Sequence, residues 1–185
     1  MKRIVFSLAI LAMGMKLLAQ TPISYFPLNQ AKDINVDTHL IIDGGGDTVL
    51  GRGPSYFNHC TISSYGAFMW IRNTKENHGN IFNDCTFKAM SQYAMIARLP
   101  DNKGKNYPDA ECVLLNCTLD GVPSEGFGPI DTSASTAKFY EFNSHDKDGK
   151  SIDVSGRDKH VRQLDAIKDA ELIGKYSDAQ WVLGW

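Results

Sequence analysis

The chain has 185 residues, 43% of them apolar, with 19 basic and 21 acidic side chains for a formal charge of −2. That is enough apolar chain for one globular domain, and the acid excess offers no basic face for nucleic acid. Sixteen glycines point to many turns.

Residues 1–19 have the order of a cleaved secretory signal: Lys2 and Arg3, an apolar run over 4–15, then Ala19 ahead of Gln20. The run falls short of the roughly 20 apolar residues a membrane span needs, so the expectation is a secreted or periplasmic chain with no membrane partner after cleavage. Loss of Lys2, Arg3 and Lys16 leaves 16 basic against 21 acidic residues, formally −5.

Residues 20–42 read as a linker, with Pro22 and Pro27 excluding helix from its first part. This stretch resembles the opening of the immunoglobulin-like modules that precede catalytic domains in secreted polysaccharide-degrading enzymes. About twenty residues cannot make a sandwich of roughly seven strands, so it counts as a remnant.

Residues 43–61 carry a glycine turn, Asp47, an apolar step, a second turn at Gly51-Arg52-Gly53 and a short strand. Asp47 is the best candidate for chemistry, set against the common alternative of a turn aspartate bonding its own backbone. From Tyr56 onward the chain repeats itself. Tyr56-Phe57-Asn58-His59-Cys60-Thr61-Ile62, Ile81-Phe82-Asn83-Asp84-Cys85-Thr86-Phe87 and Val113-Leu114-Leu115-Asn116-Cys117-Thr118-Leu119 are three versions of one strand, and Phe139-Tyr140-Glu141-Phe142-Asn143-Ser144 is a weaker fourth. Cysteine recurs after 25 and then 32 residues, with Ser144 27 beyond Cys117, and short β-rich segments at such a period, with no helical spacing between them, predict a β-solenoid in which each repeat is one coil.

Strands of successive coils would pair in parallel about 4.8 Å apart, stacking equivalent side chains in ladders. Cys60, Cys85, Cys112 and Cys117 could just reach disulfide geometry at that spacing; buried free thiols acting as small hydrophobes are favoured. The excursions at 75–80 and 101–109 are surface loops, where clefts are usually built. Residues 164–185 read as a short helical cap over the last coil, with a capping box from Ser177 to Gln180 and Gly184 behind it. The loop 144–155 lacks the first and twelfth acids of an EF-hand, and the five histidines, in no metal-ligand spacing, read as surface or coil residues.

At these residues the chain resembles the pectin methylesterases, aspartyl carbohydrate esterases that demethylate galacturonan. Gly45-Gly46-Asp47-Thr48-Val49-Leu50-Gly51 resembles the family's G-x-V-D-F-I-F-G signature. Phe68-Met69-Trp70-Ile71-Arg72-Asn73-Thr74 and the following segment to Cys85 are similar to Y-I-T-A-Q-G-R and N-T-G-x-x-x-x-N-C. Ala97-Arg98-Leu99-Pro100 takes the place of G-R-P-W, Pro123-Ser124-Glu125-Gly126-Phe127-Gly128-Pro129 that of P-x-G-W-x-P-W, and Ser155-Gly156-Arg157 with Trp181-Val182-Leu183-Gly184-Trp185 follows the closing pattern.

The resemblance covers residues 43–185 and implies an all-β, right-handed parallel β-helix acting on pectin (homogalacturonan) with no cofactor and no metal. It implies Asp47 as nucleophile, Arg98 holding it, and Leu50, Arg52 and Arg72 as substrate contacts. Two departures stand out. Leu99 and Pro100 occupy the place of the family's sugar-stacking aromatic. The coil that carries the family's proton-donating aspartate and oxyanion glutamines has no counterpart, because Asp37, ten residues before Asp47, is too close to sit one coil away. The expectation is a partial solenoid missing its N-terminal coils, with impaired esterase activity; the alternative is a noncatalytic pectin-binding or structural β-helix. A pectate lyase would need a calcium–carboxylate cluster, which is not found at coil spacing.

Overall fold

A computed structural model describes residues 41–99, 107–128, 130 and 136–184. The expected signal, most of the linker with Asp37, Pro100 and most of the 101–109 excursion lie outside the described residues.

The described chain is mostly strand, and every paired strand runs parallel to its neighbours. β1 (Ile41–Gly44), β2 (Val49–Gly51) and β3 (Ser55–Asn58) form one circuit; β4 (Thr61–Ser64), β5 (Met69–Ile71) and β6 (Asn80–Asn83) form the next. β7 (Thr86–Ala89), β8 (Ala97–Arg98) and β9 (Glu111–Leu115) form a third, and β10 (Thr118–Asp120), β11 (Lys138–Phe142) and β12 (Val161–Gln163) follow. Each of the first three circuits gives one strand to each of three sheets, ordered β1-β4-β7-β10, β2-β5-β8 and β12-β11-β9-β6-β3, and β11 and β12 both extend the last of these. This is an all-β, parallel, solenoid-like stack. Ile41 and Ile42, placed in the linker on sequence, belong to its first strand.

The repeat register carries through. Tyr56 pairs with Ile81, Ile81 with Val113 and Val113 with Tyr140, so even the weak fourth repeat takes its place. One residue in each circuit turns the corner out of the five-stranded sheet in the left-handed region: His59, Asp84, Asn116 and Asn143, with φ of 52°, 56°, 55° and 53°. Short polar side chains tolerate that conformation, which explains why this position never holds a β-branched residue. On the flanks, Asn83 donates to Asn58 at 2.9 Å and Asn143 to Asn116 at 2.9 Å.

Strand alternation sends one set of side chains inward. Phe57 and Phe82, register partners, stack with ring centres 4.6 Å apart, and Phe87 meets both Phe82 and Phe68 edge-on. Cys60, Cys85 and Cys117 form an interior ladder, with Cys112 buried nearby, and all four are free thiols. Burial pushes the Cys117 thiol up to about 12 and raises Cys112 well above its ordinary value. In the last circuits the interior turns polar: Glu141, on the inward side with Phe139, accepts from Arg157 Nε at 2.9 Å, Arg157 Nη2 at 3.1 Å and Gln163 at 2.7 Å. Burial alone would raise the Glu141 carboxyl, but Arg157 and its other donors outweigh that and hold it below its ordinary value.

The outward set of the five-stranded sheet, Ile81, Val113 and Leu115 with Tyr56, Tyr140 and Phe142, is covered by helices α1 (Ala170–Ser177) and α2 (Ala179–Leu183) through Tyr176 and Val182. The expected helical segment is therefore present, but it crosses a sheet face, because that face is apolar and needs cover. Two cap details also differ from the sequence reading. Asp178, with its side chain accepting from Gln180 N at 2.9 Å, is the N-cap of α2. Ser177 ends α1 and donates back to Ile173 O, while Gly184 takes the left-handed C-cap. No helix among the described residues is long and apolar enough to cross a membrane.

Candidate functional site

The three-stranded sheet β2-β5-β8 presents the candidate residues. Its register aligns Leu50 with Trp70 and Trp70 with Arg98, while Met69, Ile71 and Ala97 are buried in the core. Alternation therefore puts Leu50, Trp70 and Arg98 in one outward row. Leu50 is 55% exposed, a large apolar side chain left in water.

Asp47 stands at the corner just before β2. Its φ of 46° is left-handed, and its N–H donates to Ala67 O on the next circuit at 2.6 Å. The glycine turn beside it is required by close approach: a Cβ on Gly66 would meet Gly46 Cα at 3.1 Å and Gly45 O at 3.3 Å. With the backbone pinned between circuits, the carboxylate reaches Arg98, two circuits on. Arg98 Nε donates to one Asp47 oxygen at 2.7 Å and Nη2 donates to the other, a bidentate pair with side chains 24% and 29% exposed. The fork-to-fork geometry fixes the plane of the carboxylate as well as its position. The commonplace turn-aspartate role does not describe Asp47, whose carboxylate bonds are spent across the stack.

Sequence reasoning missed Trp70. Its indole is half-buried, with the Arg98 guanidinium carbon 4.5 Å and the Arg72 guanidinium carbon 3.6 Å from its ring centre. The signal was present as an outward alternating position in the strand before Arg72; attention to an aromatic after Arg98 hid it. Leu99, in the place of that aromatic, is fully buried and bridges to Ile130.

The structure brings together Asp47, Arg98 and, through Trp70, Arg72. Leu50 lies in the same row. Arg52 stands apart, exposed beyond the end of β2, with its guanidinium carbon 6.0 Å from the Tyr107 ring centre. Of the described glutamines, Gln92 lies exposed in the turn after β7, Gln163 is committed to Glu141 and Gln180 lies in α2.

A second polar cluster lies under the helices. Glu111, 1% exposed, accepts from His78 Nδ1 at 2.9 Å, from Gly79 N at 2.9 Å and from the Tyr176 hydroxyl, with Lys138 Nζ at 3.5 Å. His78, in the coil before β6, packs on Trp181 with ring centres 4.3 Å apart, in keeping with its reading as a coil residue. Burial, then Glu111, raises the Tyr176 hydroxyl far above its ordinary value. Its acceptor is thus met on every side. Among the described residues no group of three His, Cys, Asp or Glu side chains is placed to hold a metal ion. In comparisons with known proteins, no family model matches the chain and no curated protein matches it.

Proposed function

We propose that this face performs pectin methylesterase-like hydrolysis of galacturonan methyl esters, with Asp47 as nucleophile, in a secreted or periplasmic chain whose coils wind right-handed. The observation that supports this reading most is the bidentate Asp47–Arg98 pair, held across circuits on an accessible face. A carboxylate is a modest nucleophile and must be aimed and kept ionised. Arg98 takes one direction on each carboxylate oxygen and leaves others open, since two oxygens offer about four acceptor sites.

In the proposed step an Asp47 oxygen forms a bond to the ester carbonyl carbon. The electron pair moves to the carbonyl oxygen and then expels methoxide, which leaves as methanol on taking a proton; water next attacks the anhydride, returning Asp47 as carboxylate and releasing the uronate acid. The proton and the oxyanion donors must come from groups other than Arg98. Loss of one oxyanion donor alone costs about 10²–10³ in rate, so slow turnover is expected.

Methanol release from methylated pectin by the full chain and by Asp47→Asn tests the proposal. Slow release abolished by Asp47→Asn is the expected result; release unaffected by the substitution sinks Asp47 as nucleophile. No release from a chain that still binds de-esterified galacturonan favours a noncatalytic pectin-binding role, which Arg72, with no ion pair among the described residues, also supports.

A further inference from the structure

Two arginines share the Trp70 indole, but their charges are handled differently. Arg98 is met by Asp47. Arg72 has no ion pair with any described residue, and its Nε is buried with no hydrogen-bond partner. Its guanidinium carbon, 3.6 Å from the Trp70 ring centre, lies at flat stacking distance. Stacking on an aromatic fixes a guanidinium's plane and presents its N–H edge in one direction, something a lysine cannot reproduce. Trp70 stands in the outward row with Leu50 and Arg98, and its indole meets both guanidinium groups.

We propose that Arg72, stacked on Trp70, is a carboxylate subsite, so that this face takes a polyuronate carrying a free acid group beside the ester presented to Asp47. A planar, pre-oriented guanidinium whose charge no described residue meets is suited to two-point recognition of a carboxylate. Trp70 acts as a positioning residue: it carries Arg72 and touches Arg98, tying the subsite to the nucleophile's clamp. The inference rests on the reading of this face as galacturonan-binding. It goes further in assigning substrate form: an unesterified or partly de-esterified chain binds better than a fully methylated one, and the indole face serves the arginines instead of a sugar ring.

The test is affinity electrophoresis of the full chain in native gels containing polygalacturonate, fully methylated polygalacturonate, neutral galactan or dextran sulfate, beside methanol release. Wild type is expected to be retarded by polygalacturonate at least ten times more strongly than by the methylated polymer or the galactan, and more strongly than by dextran sulfate. Arg72→Gln should lose that retardation about tenfold or more. Arg72→Lys keeps the charge but not the planar stack and should lose several-fold, which guards against a folding defect in the first variant. Trp70→Phe should retain binding while Trp70→Leu loses it, a rescue that a purely structural role for an indole of that size would not give.

No retardation of wild type by polygalacturonate, equal retardation by galactan or dextran sulfate, or wild-type binding by both Arg72 variants would each overturn the subsite. Absence of methanol with Arg72-dependent binding intact would instead remove the esterase reading and leave the subsite standing. Methanol release that depends on Asp47 and is indifferent to Arg72 at low substrate would do the reverse.

Discussion

Asp47 and Glu111 are both carboxylates set on outward faces of the same stack, and they are treated in opposite ways. Glu111 is 1% exposed and is surrounded by His78, Gly79 N, Tyr176 and Lys138 under two helices. Asp47 is 24% exposed and held from one side by Arg98 on a sheet that neither described helix covers. A saturated, dry carboxylate has no acceptor direction left for a ligand, so its energy is spent on structure. A carboxylate clamped from one side is fixed yet still open. The difference arises from what alternation puts outward: Ile81, Val113 and Leu115 on the five-stranded sheet demand cover, whereas Trp70, Arg72 and Arg98 on the three-stranded sheet are amphipathic enough to stay wet.

That contrast can be broken most severely in the interior. Removing one partner of the Glu141–Arg157 pair, whose side chains are 0% and 4% exposed, leaves a buried charge unmatched. Arg157→Ala is expected to cost about 3–5 kcal/mol, read as a fall in the urea midpoint. Next comes the covered cluster: Tyr176→Phe removes one donor from buried Glu111 and should cost about 1–3 kcal/mol by the same measurement, with no change in polygalacturonate binding. On the open face the order inverts. Asp47→Asn should shift stability by no more than about 1 kcal/mol, as expected of a partly exposed pair, while eliminating methanol release. An Asp47→Asn chain that unfolds as readily as Arg157→Ala would erase the distinction between the two regions.

Titration sharpens it further. The Glu141 carboxyl is lowered in the folded chain, so it contributes stability above the ordinary carboxylate range that is lost as pH falls through the folded value. Cys117 is raised from 9.0 to about 12 and Tyr56 from 10.0 to about 12, each chiefly by burial. Groups raised in this way are protonated when folded, so their contribution is complete below pH 9 and drains away between pH 9 and 12. Thermal melts across pH should show loss of stability at both ends. A thiol reagent at pH 8 should find the four cysteines slow in the native chain and fast in urea; rapid native reaction at any of them would place that thiol outside the core.

Much of the fold was legible because a solenoid writes its register into the chain. The Cys-Thr repeats and the polar corner residue mark one circuit each, and the three strand pairings they predict are those seen. Asp47 was visible from its glycine turn, and its pairing with Arg98 follows once circuits are counted. Trp70 was not, because a short strand of three residues carries too little alternation to show which side is wet. The helical segment was legible from Gly184 at its end, with the N-cap misplaced by one residue, but its place on the stack was not: what decided it was the doubled apolar pattern of Val113-Leu114-Leu115, in which alternate residues face the core and the helices. The partner of His78 was hidden for the same reason, since nothing local reveals that Glu111, 33 residues on, will accept from it.

The lateral position of α1 and α2 has a mechanical consequence. Tyr56, in the first circuit, donates its hydroxyl to Ser177 O, and Tyr140, in the fourth, packs on Tyr176. The helical segment thus acts as a strap along the long axis, in parallel with the strand pairings that join one circuit to the next. A bare stack pulled from its ends would unwind a turn at a time, releasing roughly 85 Å of extended chain for a circuit of about 25 residues. Here the strap must peel first, so the expected force trace has one high initial rupture followed by a train of smaller, evenly spaced ones.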